Sequence, residues 1–331
     1  MAKKFHDYDA LPNEAHAPRL RTEMKVVAVV VIFVLVLEIV ARFLAPHLDY
    51  DRKHIHAFDQ TLSQLESDAL ESGAPRVVFF GNSLMMHGLK PEILHDELDR
   101  LGGLDIETAK ITPVGTAMLD WVYLYQRYFE GPEKHPDVLV VGFVRHHIYD
   151  QEPIKLRRLS RHFVASQDLP ELWQTDLPDF HSIVQSSLCS VSALCGDQEL
   201  HQRSILYCAV PDYSAGVKRN NRIVSAAKKR HAQQMGAAAP PTDTFQRMER
   251  FITACKERGV KLYFVPMPQP KVWPFNPAAA EVIENHGMQV LDARQIEGMD
   301  AEDFSDGYHL GESGGEKFSR WLAGQLKDEL D

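Results

Sequence analysis

Residues Arg76 to Leu84 read RVVFFGNSL. An apolar, β-branched and aromatic run leads straight into Gly81-Asn82-Ser83. This pattern predicts a buried strand that stops at a tight turn, with a serine at its end. Gly-Asn-Ser is also an ordinary turn sequence. If a helix follows, its free N–H groups point at the serine oxygen. Such a turn can present a nucleophile and stabilise an oxyanion together.

Outward from that strand, the chain alternates. Pro91 suits the first turn of a helix carrying Ile93, Leu94 and Leu98, and Asp105 to Ile111 alternates weakly as a strand. A turn at Pro113-Val114-Gly115 leads into a helix through Trp121, Leu124, Tyr125 and Tyr128, and Val138 to Phe143 is a second fully apolar strand. After a long irregular region the rhythm resumes. Phe245, Met248, Ile252 and Cys255 share a helical face, Lys261 to Pro266 is a strand, 277–286 is helical and Met288 to Asp292 is a short strand. Ser313 and Glu316 have capping-box spacing ahead of a last helix with Phe318, Trp321, Leu322 and Leu326 inward. Strand and helix in alternation predict a parallel sheet covered on both faces.

The loop before that last helix reads Phe304-Ser305-Asp306-Gly307-Tyr308-His309-Leu310. In a parallel sheet, loops that follow strands gather at the carboxyl edge, where ligands bind. Ser83, His309 and Asp306 on one edge are a nucleophile, its general base and the group that orients the base.

At the other end of the chain, residues 25–45 read KVVAVVVIFVLVLEIVARFLA, about the length a bilayer core requires. Glu38 and Arg42 are four apart on one helix face. Lys3, Lys4, Arg19, Arg21 and Lys25 precede the run, against Arg42, Arg52 and Lys53 after it. That bias predicts residues 1–24 as a cytoplasmic tail, a single span in the cytoplasmic (inner) membrane, and the bulk of the chain outside. Residues 46–73 read as a stalk, amphipathic from about residue 50 with Phe58, Leu62, Leu65 and Leu70, and 74–331 as the α/β domain. Within that domain, 148–241 reads as a mainly helical insertion that ends in an Ala- and Pro-rich linker, Gly236 to Pro241. Its basic clusters (Lys155, Arg157, Arg158; Lys218, Arg219; Lys228, Lys229, Arg230) read as solvated surface, or as contacts to anionic headgroups or an acidic polymer.

The 331 residues carry a net charge of −10, which argues against a general nucleic-acid binder. Four cysteines with no C-x-x-C pair argue against a zinc site. One disulfide among Cys189, Cys195 and Cys208 is expected if they lie outside the cytoplasm; small buried thiols are the alternative.

Taken together, Gly81-Asn82-Ser83-Leu84 and Asp306-Gly307-Tyr308-His309 resemble the opening Gly-Asp-Ser-Leu and closing Asp-x-x-His blocks of the SGNH or GDSL hydrolase superfamily. The resemblance runs from about Arg76 to Leu326 and implies a three-layer, flavodoxin-like sheet. It implies Ser83, His309 and Asp306 as catalytic residues, with backbone N–H groups of Ser83 and Gly115 as oxyanion donors. Two departures stand out. Asn82 replaces the usual aspartate. The third block, normally Gly-x-Asn-Asp, reads Gly142-Phe143-Val144-Arg145-His146-His147. Arg145 or His146 is then the expected substitute donor, unless two backbone N–H groups suffice. No carboxylate or third histidine near His146 and His147 has metal-ligand spacing, so no metal is expected, and no cofactor.

A membrane helix before such a domain is similar to envelope proteins that transfer acyl groups to exopolysaccharides or teichoic acids. That similarity implies an acylated donor, a glycan acceptor and a multi-spanning membrane O-acyltransferase as partners. Two competing readings remain: an esterase or deacetylase with the same residues, and a non-catalytic membrane-anchored scaffold. The absent asparagine favours the scaffold and the intact Ser/His/Asp set opposes it.

Overall fold

The computed structural model describes residues 17–131, 135–217, 219–220 and 244–330, with side chains from Thr22 onward. The expected linker at 236–241, Lys218, the cluster at 228–230 and the start of the N-terminal tail lie outside the described residues.

Five parallel strands form one sheet: β1 (Arg76–Phe80), β2 (Glu107–Ile111), β3 (Val138–Phe143), β4 (Lys261–Pro266) and β5 (Gln289–Val290). Their order is β2-β1-β3-β4-β5, the flavodoxin-like order, with its switch point between β1 and β3. β1 and β3 are apolar on both faces because helices cover both sides.

In chain order the main helices are α1 (Ala17–Leu48), α2 (Tyr50–His56), α3 (Phe58–Ser72), α4 (Ser83–Gly88), α5 (Pro91–Arg100) and α6 (Met118–Phe129). After β3 come α7 (Phe180–Val191), α8 (Gln198–Ala209), α9 (Gln246–Glu257), α10 (Pro277–Asn285) and α11 (Glu312–Leu330). α5 packs on α11, and α6 on α9. Phe80 shows how the sheet holds the second pair. Its ring stacks on Phe251 of α9 at 6.2 Å and meets Phe129 of α6 edge-on at 6.1 Å. Fully burying one such ring contributes about 1.5–3 kcal/mol.

Thr22–Leu48 within α1 is long and apolar enough to cross a membrane. Residues 50–72 do not stand free as a stalk. They form α2 and α3, with α3 against β1 and β2 and Phe58 and Leu65 in the core. Leu70, expected on the same apolar face, is 81% exposed. At the chain's other end no capping box forms. α11 begins one residue before Ser313, whose hydroxyl donates to Asp303 Oδ1 at 2.6 Å.

The insertion's described part is mainly helical, with short turns between 145 and 176 followed by α7, a single turn Ala193–Gly196, and α8. Cys189 and Cys195 are disulfide-bonded; Cys208 is free and exposed, and Cys255 free and buried.

Candidate active site

β1 ends at Gly81, whose φ of +151° favours glycine. A Cβ there would meet the Gly142 carbonyl oxygen of β3 at 2.8 Å, so glycine is also required by close approach. Asn82 is the N-cap of α4, its Oδ1 accepting from the Leu84 N–H at 3.1 Å. Ser83 is the first helical residue, so its N–H has no intrahelical acceptor. At the far end of α4, Lys110 Nζ donates to the Met86 and Leu89 carbonyls at 2.8 and 3.0 Å, which anchors the helix. Burial lowers the Lys110 pKa to about 8, and the neighbouring Lys90 adds to that.

The Asp306–His309 loop reaches this serine. Its ends are pinned by a bridge between Phe304 and Leu310 and by Ser305 N–H donating to the His309 carbonyl at 3.0 Å. His309 Nε2 lies 2.9 Å from Ser83 Oγ, and His309 Nδ1 lies 2.8 Å from Asp306 Oδ2. Asp306 Oδ1 also accepts the backbone N–H groups of Tyr308 and His309, at 2.9 and 2.7 Å. What burial the carboxyl has would raise its pKa. The His309 N–H and ring and the Tyr308 N–H outweigh that and hold it at about 2. Asp306 is therefore ionised at neutral pH, and it fixes the imidazole with Nδ1–H toward itself and Nε2 free to accept from Ser83. The Asp306 side chain is 56% exposed, so the arrangement sits at an open surface.

Gly115 lies in the loop between β2 and α6, at φ +63°, left-handed as its glycine requires. Buried hydrogen bonds tie this loop to the serine turn. Asn82 Nδ2 donates to the Thr116 carbonyl at 3.0 Å, and the Thr116 hydroxyl lies 2.9 Å from the Gly81 and Pro113 carbonyls. Charged side chains hold its other side. Asp51 of α2 accepts the Val114 N–H at 2.7 Å and pairs with Arg158 at 2.6 Å. Arg158 also donates to the Val114 carbonyl, and Lys155 Nζ donates to the Gly115 carbonyl at 2.6 Å. Lys155 is exposed and Arg157 and Arg158 are half-buried, yet all three are engaged rather than merely solvated. Arg157 contacts the Cys195 carbonyl at 3.4 Å, and the other two clamp the Gly115 loop.

The turn after β3 departs from expectation. Arg145 takes a left-handed φ of +47°, rare for a residue with a side chain. Both Arg145 and His146 are exposed, and His146 lies 3.5 Å from the Glu152 carboxylate. The residue that turns to the serine loop is His147. Its Nδ1 is 3.2 Å from both Asn82 Nδ2 and the Val144 N–H. Two donors on Nδ1 make it the acceptor, so the proton of the neutral ring sits on Nε2. Burial first, then His146 and Lys155, push the His147 pKa down to about 3, so the ring stays neutral. The sequence shows the histidine pair, but the left-handed residue that selects the second of them is invisible to spacing. Among the described residues no group of three or more His, Cys, Asp or Glu forms a metal site.

No family model and no curated protein matches the chain. Among solved structures, LAE5, an alpha/beta hydrolase enzyme from the metagenome of Lake Arreo, Spain, aligns with 76% of this chain and 95% of its own, at 11% identity and a TM-score of 0.35.

Proposed function

We propose that the protein is a membrane-anchored, serine-dependent acyl-transfer enzyme of the SGNH-like kind, acting on cell-envelope glycans. The observation that carries this reading is the unbroken chain from Ser83 Oγ through His309 to the ionised Asp306.

In the first half-reaction Ser83 Oγ attacks the carbonyl carbon of an acyl ester while its proton passes to His309 Nε2. Asp306 stabilises the imidazolium. The oxyanion of the tetrahedral intermediate accepts from the Ser83 and Gly115 N–H groups, and His147 Nε2–H serves as the third donor in place of the family asparagine. The intermediate collapses, His309 protonates the departing alkoxide, and the acyl group remains on Ser83. In the second half an acceptor hydroxyl gives its proton to His309 as its oxygen attacks the acyl-serine carbonyl carbon. The new tetrahedral intermediate collapses with cleavage of the acyl–Ser83 Oγ bond, His309 returns the proton to Ser83 Oγ, and the new ester departs. With water as acceptor the same steps are hydrolysis. The open surface at Asp306 suits a long acceptor and also admits water, so the esterase is the second reading. An oriented acceptor gains from effective molarities of about 10⁵–10⁸ M, which water lacks.

The apolar α1 and the excess of Lys and Arg before it support a single span with the domain outside. The Cys189–Cys195 disulfide suits an oxidising compartment. An acylated donor and a multi-spanning membrane O-acyltransferase remain the partners this reading implies.

The test is to supply the purified full-length protein with an activated acetyl ester, with and without envelope oligosaccharides, and to follow acetylated sugar by mass spectrometry. Acetylated sugar from wild type and none from Ser83→Ala is the expected result. Fast hydrolysis with no acetylated sugar across a broad acceptor panel would select the esterase. A wild-type protein that neither turns over nor labels with a fluorophosphonate would select the scaffold.

A further inference from the structure

A bilayer around α1 must also reach the insertion. Between Lys25 and Glu38 the helix has twelve uncharged residues, 26–37, with exposed side chains. At 1.5 Å per residue they span about 18 Å, and even a count from Thr22 gives only about 24 Å, against a hydrocarbon core of about 30 Å. The missing thickness lies beyond Glu38, where α1 is no longer alone. Glu38 accepts the Ser192 hydroxyl at 2.9 Å and the backbone N–H groups of Ala193 and Leu194. One turn on, Arg42 donates to the Val191 carbonyl. Ala41 and Ala45 are buried, where α1 packs on the turn Ala193–Gly196 and on α8, while Phe43 on the outer side is 75% exposed. Residues 191–194 therefore sit at the depth of a helix segment that still faces lipid.

The segment fixed at that depth has the surface for it. Residues 180–196 contain no Asp, Glu, Lys or Arg. Along α7, Phe180, Val184, Leu188 and Val191 recur at helical spacing, and all four are exposed, Phe180 at 79% and Val191 at 64%. The opposite face, with Ser186 and Cys189, is buried against the turns at 156–163. Twelve residues are too few to span a bilayer but suit a helix lying in its interface.

Taking α1 as the membrane span proposed above, we infer that α7 is an interfacial helix. Its Phe180–Val191 stripe is embedded among the acyl chains of the leaflet on the domain's side. The occupant of this face is phospholipid. The bond from Arg42 to the Val191 carbonyl, which seats the C-terminal end of the stripe at the depth of lipid-facing α1, argues for lipid, as does the absence of Asp, Glu, Lys and Arg from residue 180 to 196. The embedded stripe then fixes the height and tilt of the catalytic edge over the membrane, a geometry that a single flexible anchor would leave free.

The test uses the full chain in a Cys208→Ser background, reconstituted in phosphatidylcholine vesicles. An environment-sensitive fluorophore is attached at Val184→Cys, at Val31→Cys in mid-span, or at Asp328→Cys on the exposed side of α11. The vesicles carry a nitroxide either high or low on the acyl chain. The expected result is blue-shifted emission at 184, quenched most by the shallow nitroxide, quenching at 31 most by the deep one, and none at 328. A label at 184 that behaves like 328 while 31 is quenched overturns the inference and leaves the span intact. A label at 184 shielded from aqueous iodide yet untouched by lipid nitroxide also overturns it, and assigns the face to protein. Loss of quenching at 31 removes the span and the inference together.

Discussion

Two neighbouring loops carry the proposed backbone oxyanion donors, and they are held in different ways. The Gly81–Ser83 turn is made largely by its own sequence. An apolar strand delivers it, a glycine lets it pass β3, and Asn82 caps the helix that Ser83 begins. The Pro113–Thr116 loop is held from afar, by Asp51 63 residues before it and by Lys155 and Arg158 40 and 44 residues after it. One of these arms comes from α2, the helix that follows α1, and the other two from the insertion. A nucleophile can thus be built locally, while the oxyanion loop depends on both additions to the α/β core.

The largest expected effect falls on the local side. Ser83→Ala removes the proposed nucleophile without disturbing Asn82, and turnover should fall by a factor on the order of 10⁶. Fluorophosphonate labelling should vanish while melting stays unchanged. Residual labelling at another serine would mean that the turn is not the reactive centre.

The remote side should respond less, and mainly in rate. Removing one member of the buried Asp51–Arg158 pair would leave a stranded charge, at a stability cost of about 3–5 kcal/mol. The paired, charge-neutral change Asp51→Asn with Arg158→Gln avoids that. It should lower kcat by about 10²–10³, the cost of a lost or misplaced oxyanion donor. Unchanged kcat in a protein that melts normally would show that the Gly115 loop holds itself, and the contrast between the loops would collapse.

The same contrast explains what the sequence discloses. The β1 run, the glycine turn and the Asp306-x-x-His309 spacing are local, and each is readable because a few adjacent residues dictate it. The sheet follows from the apolar runs at 138–143 and 261–266. The attachment of Lys155 and Arg158 to the Gly115 loop is not readable, since a basic cluster carries no mark of whether a distant carbonyl awaits it. Asp51 and Arg52 look like solvated stalk residues, yet both are buried, because their partners Arg158 and Asp197 lie in the insertion. The pairing of Cys189 with Cys195 depends on the path between α7 and α8, which composition does not encode.

His147 lies between the two cases, sequence-adjacent to the expected substitutes but selected by a backbone turn. His147→Phe keeps the ring's bulk and removes the N–H. It should lower kcat by up to about 10² with KM little changed. His147→Gln retains a donor and should recover part of the loss. Equal activity of wild type and the phenylalanine variant would leave the oxyanion to two backbone donors.

The smallest effect is on stability against pH, and it is read through two histidines, His147 beside the serine turn and His162 of the insertion. His147 has its pKa pushed down to about 3, chiefly by burial. His162 of the insertion is pushed down to about 4, again by burial first, although its Nε2 lies 2.8 Å from Asp197. In the unfolded chain both titrate near the ordinary histidine value of about 6.5. A depressed folded pKa means that the unfolded state binds the proton first. The stability these neutral rings contribute is therefore complete above about pH 6.5 and is lost as pH falls toward about 4 and 3. The slope approaches about 1.4 kcal/mol per pH unit for each histidine. Asp306 adds little between about pH 6.5 and 4.5, because its carboxyl is held at about 2 and its contribution fades mainly below about pH 4. Melting temperatures of the full-length protein in detergent should fall from pH 6.5 to 4.5. His162→Gln should flatten the fall while leaving turnover at neutral pH unchanged, and His147→Gln should flatten it while slowing turnover. A melting temperature that stays level across this range in the wild type would mean that both rings take up protons in the folded state, and His147 would then carry a charge at the serine turn.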